Sequence, residues 1–308
     1  MSTASSAPAV PPLFCVPEPV AAGIPEDCAP RGADGGRFEL VLSPSRAADF
    51  MGCPLRYRLR AIDRLAERPS PVATRGTLVH SVLERLFELP AAQRTPERAA
   101  ELVAPAWADL SAADSELVGL FPDDALLGTW LDSARDLLAG YFTLEDPRRL
   151  EPAEREHLVE VTLASGLRLK GFVDRLDRAA TGELRIVDYK TGRAPGEAFE
   201  GKALFQMKFY ALVLWRTTGQ LPTLLQLMYL GDREVLRYSP DEADLLATER
   251  KLEALGVAIE TARATGEFRP CRSRLCDWCD FQQHCPEFGG TPPPFPGPLS
   301  SGDPGNTG

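Results

Sequence analysis

Between Gly171 and Lys190 the chain reads G-F-V-D-R-L-D-R-A-A-T-G-E-L-R-I-V-D-Y-K. Two runs of alternating apolar and polar residues flank a turn signal, Ala179-Ala180-Thr181-Gly182. That pattern predicts two antiparallel strands. Side chains alternate across a strand, so Ile186, Asp188 and Lys190 share one face while Val187 and Tyr189 take the other. Folding the hairpin about its turn brings Asp174 opposite residue 187 or 188; the sequence leaves both registers open. Two carboxylates and an amine thus meet on one patch of sheet.

Carboxylates held close repel unless a proton or a cation lies between them. A hard divalent ion such as Mg²⁺ takes oxygen ligands and keeps waters for chemistry. The competing reading is a solvent-facing hairpin whose Asp and Lys residues are ordinary surface charges. Against it, Asp188 and Lys190 end a strand with an apolar core of Leu184, Ile186 and Val187, and Asp174 lies at matching height on the neighbouring strand.

The 308 residues, 44% hydrophobic and 25% charged, make a chain long enough to bury a sizeable core as one large or two small domains. A net charge of −10 argues against nonspecific coating of nucleic acid but permits a local basic groove. From Pro44 to Arg75 there are seven arginines against three acidic residues. No apolar run approaches the roughly 18 residues of a membrane span. The N-terminus has no basic region followed by an apolar stretch, so no secretory signal is expected. Seven cysteines in such a chain point to metal or redox use, and the expected location is cytoplasmic.

Residues 1–36 are rich in Ala, Pro, Ser and Gly and are expected to form a disordered tail, as are residues 287–308. Order begins near Leu40. Ser43-Pro44 starts a short helix up to Gly52, and a second short helix follows, where Arg56, Arg58 and Arg60 read as a solvated face or as DNA contacts. Arg75-Gly76-Thr77 leads into a helix with apolar Leu78, Val82, Leu83, Leu86 and Phe87, and places His80 in its first turn. A helical stretch, about 90–145, carries Trp107, Trp130 and Tyr141 without a chemical cluster and reads as an insertion or cap. Strands are expected near 156–164, 167–178 and 183–190. A helix of about 202–218 follows, on which Gln206 and Tyr210 share a face. Strands at 223–230 and 234–238 and a long helix to about Thr265 complete a mixed α/β domain. No Gly-rich phosphate loop occurs, so no helicase motor is encoded here.

Cys271, Cys276, Cys279 and Cys285 fall within 15 residues. The Cys276-x2-Cys279 pair sets two thiolates at metal-bridging distance, and a proline follows Cys285. Such spacing suits an iron–sulfur cluster. A zinc site of Cys271, Cys276, Cys279 and either His284 or Cys285 competes with it. Cys53 stands far upstream beside a proline. As a fourth ligand it would close a loop of more than 220 residues and clip the N-terminal helices to the C-terminal region.

Taken together, R-G-T-L-V-H, G-F-V-D-R-L-D, I-V-D-Y-K-T-G, Q-M-K-F-Y and C-x4-C-x2-C-x5-C with an upstream cysteine resemble the RecB-type nucleases of the PD-(D/E)xK superfamily. The likeness is to stand-alone RecB-family exonucleases carrying an iron–sulfur cluster. The AddB nuclease domain of a bacterial recombination complex and the CRISPR adaptation exonucleases are similar. It spans about residues 40–287 and implies a restriction-endonuclease-like core, a mixed sheet flanked by helices, over residues 37–286.

The resemblance implies roles for individual residues. His80 is similar to the family's active-site histidine, Asp174 and Asp188 to its metal-binding carboxylates, and Lys190 to its catalytic lysine. Gln206 and Tyr210 match an element beside the active site and DNA. Cys53, Cys276, Cys279 and Cys285 match the ligands of a 4Fe-4S cluster, with Cys271 extra and Zn²⁺ still open. A further acidic residue is Glu156 or Glu160. The implied reaction is Mg²⁺- or Mn²⁺-assisted phosphodiester hydrolysis at DNA single strands or ends, in repair or recombination, with Arg75, Lys170, Arg175 and Arg193 available to phosphates and any helicase a separate partner. Two other readings are a non-catalytic DNA-binding or assembly subunit and a zinc-stabilised interaction protein. The intact Asp174, Asp188 and Lys190 set argues against the first of these.

Overall fold

The computed structural model describes residues 40–196 and 200–297, and these form two compact units. The larger comprises residues 41–44 and 68–254, the smaller Leu40 and residues 45–67 and 255–297 of those described. The sequence-based tail over residues 1–36 lies outside the described residues, as do residues 298–308.

The larger unit is built on a mixed sheet, six-stranded among the described residues. Its strands are β1 (Val41–Leu42), β2 (Glu154–Thr162), β3 (Arg168–Arg178), β4 (Leu184–Lys190), β5 (Leu224–Tyr229) and β6 (Glu234–Tyr238). The order is β1-β3-β4-β5-β6, with β2 also pairing β3. The hairpin forms as its sequence predicts: Gly182 N–H donates to the Ala179 carbonyl at 2.9 Å, and Gly182 takes φ 100°. The ladder ends with Arg175 opposite Val187, which sets the register and puts Asp174 level with Asp188. β4 lies between β3 and the parallel β5, and Leu184, Ile186, Val187 and Tyr189 are buried, as a central strand requires.

Helix α3 (Pro71–Glu88) begins four residues before Arg75. Ser70 caps it, its hydroxyl accepting from Ala73 N–H, and Pro71 occupies the first turn. His80 therefore lies in the third turn rather than the first. The cap, Ser70-Pro71, lies ahead of the apolar stripe, so periodicity alone starts the helix too late. Leu78, Val82 and Leu86 are fully buried, each burial contributing roughly 2 kcal/mol. Helices α4 (Pro96–Ala113) and α5 (Asp124–Leu144) join α3 in one core with Trp107, Trp130 and Tyr141, and this core includes Val187, Tyr189, Met228 and Leu230 of the sheet region. The helices of the 90–145 stretch thus form a layer over the sheet. Alternation along β4 turns Asp188 and Lys190 away from that core, towards α6 (Glu200–Thr218) on the other face. Ion pairs Lys208–Asp244 (3.1 Å) and Arg216–Glu249 tie α6 to the first half of α7 (Glu242–Thr265).

In the smaller unit, α1 (Pro44–Gly52) and α2 (Pro54–Tyr57) precede a π-helical turn over Arg58–Ile62. The arginine row there is committed internally. Arg58 is buried against Asp63 (3.1 Å), and Arg60 pairs with Asp49 (2.9 Å) and Glu67 (2.7 Å). Residues 287–297, expected as part of the C-terminal tail, are packed: the Pro293 carbonyl accepts from Arg58, and the Phe295 ring lies against both Arg58 and Phe268.

Candidate active site

Four elements of the larger unit aim polar side chains at one place. Asp174 comes from β3, Asp188 and Lys190 from β4, Glu156 from β2 and His80 from α3. The single residue between Asp188 and Lys190 organises them through its backbone. Tyr189 N–H donates to Asp174 Oδ2 at 2.8 Å, and the Tyr189 carbonyl accepts from His80 Nε2 at 2.9 Å. With Nε2 holding the proton, Nδ1 carries the lone pair. It faces Asp174 Oδ2 at 3.4 Å and Glu156 Oε1 at 3.9 Å.

His80, Glu156 and Asp174 thus offer one nitrogen and two oxygens that all lie within 4.8 Å of one another. A lone pair facing two carboxylates is repulsive unless a proton or cation stands among them. Burial, and then the neighbouring Asp188 charge, push the Asp174 pKa well above the carboxylate range. Burial, then Glu84, pushes Glu156 up as well, while burial holds His80 below its ordinary value despite the Asp188 charge. All three shifts disfavour the charged forms. Glu156 also holds φ at 42°, in the left-handed region, where the nearby strand residues pair with β3. Such strain in a glutamate on a strand persists where the surrounding structure demands a particular side-chain direction.

Asp188, level with Asp174 on the neighbouring strand, is 1% exposed. Gln206 Nε2 donates to its Oδ1 at 2.8 Å and to Tyr210 Oη at 3.0 Å, and Lys190 Nζ donates to Gln206 Oε1 at 2.9 Å. Lys190 Nζ also lies 2.6 Å from Asp188 Oδ2, but outside hydrogen-bond geometry, so that oxygen is buried with charge compensation and no donor. Tyr210 in turn shapes the backbone of β3: a Cβ on Gly171 would stand 2.7 Å from its ring, so the glycine that opens G-F-V-D makes room for the tyrosine.

In the smaller unit the free thiols are Cys53, Cys276, Cys279 and Cys285, while Cys271 is disulfide-bonded. Two backbone amides donate to sulfur at 3.3 Å, Cys271 N–H to Cys53 and Ser273 N–H to Cys276. Burial raises the Cys285 pKa, and the other three thiols add to the rise. Cys53 therefore joins the C-terminal cysteines despite more than 200 intervening residues.

The sequence matches the profile of the PD-(D/E)XK nuclease superfamily over residues 41–286. The chain belongs to that superfamily. Asp188-Tyr189-Lys190 reads as the (D/E)-x-K of its name. The chain is 24% identical over 286 residues to Gene 69 protein of Mycobacterium phage L5, and 25% identical over 268 residues to Gene 69 protein of Mycobacterium phage D29. Each alignment covers 80% of this chain and 96% of the phage protein. A crystal structure from Eubacterium rectale, of a protein described as a candidate exonuclease, has the same fold. Its TM-score is 0.54 at 16% identity, covering 78% of this chain and 87% of that one.

The structure brings His80, Asp174, Asp188, Lys190, Gln206 and Tyr210 close together. Glu156 stands with His80 and Asp174, whereas Glu160 is paired with Arg168. Glu156→Gln is therefore expected to weaken Mn²⁺ binding by about 10-fold or more, and Glu160→Gln to leave it unchanged, by isothermal calorimetry. Equal effects of the two would place the acidic ligand elsewhere. Arg175 corrects its sequence reading as a phosphate contact. Its side chain is 1% exposed and bound by Glu145 and Asp177, so it is unavailable to DNA. Nothing in the spacing of D-R-L-D distinguishes a buried arginine from a presented one; only the presence of Glu145 on the facing helix end does.

Proposed function

We propose that the chain is a metal-dependent DNA exonuclease of RecB type, with residues 37–286 as its nuclease region. The observation that carries the reading is the close set of His80, Glu156 and Asp174 beside a buried Asp188 whose carboxylate is engaged by Lys190 and Gln206. The fold shared with the E. rectale protein, described as a candidate exonuclease, supports the same reading. Its pathway is then DNA repair or recombination, with any strand separation supplied by a separate helicase.

Asp174, Glu156 and the His80 Nδ1 lone pair would hold Mg²⁺ or Mn²⁺, with Asp188 as a further ligand. Bound there, the ion supplies an acidified water and charge neutralisation at the scissile phosphate. The protein's own groups do the rest. Tyr189 fixes the His80 tautomer and the Asp174 rotamer. Lys190, held by Gln206, presents an ammonium to the charge that develops on phosphate. Tyr210 orients the Gln206 amide, which keeps both Lys190 and Asp188 in place.

Cys53, Cys276, Cys279 and Cys285 would hold a 4Fe-4S cluster in the smaller unit. The amides of Cys271 and Ser273 donate to two of these sulfurs at 3.3 Å, which stabilises thiolate ligands of a cluster or of the alternative, Zn²⁺.

The test is degradation of end-labelled single- and double-stranded DNA by anaerobically purified protein, with Mg²⁺ or Mn²⁺ against EDTA. Asp188→Ala and Lys190→Ala run alongside. Metal-dependent cleavage that falls by about 10²-fold or more in both variants is expected, from a brown preparation. Equal cleavage by wild type and both variants overturns the site. No cleavage by folded wild type overturns the nuclease reading in favour of a binding subunit.

A further inference from the structure

Two of the large apolar side chains left exposed lie in strands, Leu158 of β2 and Phe172 of β3, and they are direct cross-strand partners. Phe172 is 53% exposed and Leu158 43%. Along β3 the alternation is plain: Leu169, Gly171 and Val173 are buried, while Lys170, Phe172 and Asp174 occupy the opposite side. Successive members of the second set stand about 7 Å apart. Lys170 faces Glu160 across the ladder, but Glu160 is already bound by Arg168. Among the described residues Lys170 makes no hydrogen bond or ion pair. One strand therefore presents a cation, an aromatic ring and a candidate metal ligand in line, with an aliphatic shelf beside the ring. An exposed apolar pair on a sheet invites unwanted association unless something covers it.

We propose that Phe172, supported by Leu158, is a stacking platform for a base of single-stranded nucleic acid next to the cleavage position, with Lys170 meeting the adjacent phosphate. The placement of the scissile phosphate at Asp174 rests on the nuclease reading; the stacking does not. A ring beside a cation fits the alternation of base and phosphate, and every base has a face to stack. A duplex keeps its bases stacked on one another and gains nothing from the ring. The surface thus selects single strands or frayed ends over closed duplex.

The test measures binding apart from cleavage: fluorescence anisotropy of labelled oligothymidylate and of a hairpin duplex, in EDTA, with full-length protein. Phe172→Ala is expected to weaken oligothymidylate binding about 10-fold. Phe172→Trp should restore it, Leu158→Ser should weaken it less, and duplex binding should change little. Circular dichroism confirms that each variant is folded. Undiminished oligothymidylate binding by folded Phe172→Ala overturns the platform even if the enzyme cleaves DNA. Weakened binding in a protein that never cleaves keeps the platform and removes only the nuclease reading. A wild type that elutes as a dimer, with Phe172→Ala monomeric, overturns the proposal in favour of a second copy covering the pair.

Discussion

Asp174→Asn is expected to destroy activity and, at the same time, to raise the melting temperature of the metal-free protein. The first effect follows from removing a ligand charge at the position where His80, Glu156 and Asp174 meet. An ion's contribution to transition-state charge is several kcal/mol, so the rate should fall by roughly 10²- to 10⁴-fold. The second follows from what the site is without its ion. Asp174 is 10% exposed and faces the His80 lone pair at 3.4 Å. Burial, then Asp188, raises its pKa well above the usual 3.8. A carboxyl whose native pKa exceeds its unfolded one favours folding below the unfolded value, and that advantage is lost as pH rises through the native value. Above the native value, the ionised group opposes folding. Asparagine keeps an oxygen to accept from Tyr189 N–H at the same 2.8 Å position while removing the charge. A gain of about 3 °C in EDTA is expected by differential scanning fluorimetry. Adding Mn²⁺ should stabilise the wild type and leave the variant unmoved. A variant that melts lower than wild type in EDTA would mean that the acidic set is held by structural partners instead.

The sequence exposes most of this arrangement, for a physical reason. Strand alternation is a strict rule, so Asp188 and Lys190 had to share a face, and Val187 and Tyr189 had to enter the core. Gln206 and Tyr210, four apart on a helix, had to point together, and they do, 3.0 Å apart. What periodicity does not carry is how far one strand lies along another. The choice between Glu156 and Glu160 depends on where β2 meets β3 and on a φ of 42° that no local pattern announces. Residues 90–145 lack polar clusters and so read as an insertion or cap without a defined contact surface; their apolar stripes pack over Val187 and Tyr189. The arginines show the same limit. Arg58 and Arg175 look like Arg193 in a sequence, although Arg193 is 91% exposed and the other two are buried against carboxylates.

Arg175→Met is expected to lower stability by about 3–5 kcal/mol, the range for a buried ion pair stripped of one partner. Arg175 donates to both oxygens of Glu145, to Asp177 Oδ2 at 3.2 Å and to Tyr189 Oη at 2.6 Å, with its guanidinium 5.1 Å from the Phe87 ring. Burial opposes ionisation of Glu145, but the hydrogen bonds and charge of Arg175 outweigh it and hold that carboxyl below its ordinary 4.5. The sign fixes the pH window. Glu145 contributes above pH 4.5, and its contribution disappears as pH falls through the lower native value, so wild type and variant should converge in acid. Arg185 reaches Asp177 at 2.7 Å but Glu145 only at 3.8 Å, so it compensates part of the charge left behind. Combining Arg175→Met with Glu145→Gln should recover part of the loss, because the two residues belong to one network. The network also reaches the chemistry, since it anchors the Tyr189 ring whose backbone grips Asp174 and His80. Tyr189→Phe keeps the ring and loses only the hydroxyl contact. It should fold, yet bind Mn²⁺ more weakly by calorimetry, about 10-fold by analogy with outer partners of metal ligands. A Tyr189→Phe protein with wild-type metal affinity would confine the arginine network to stability and leave the ligand geometry to the sheet alone.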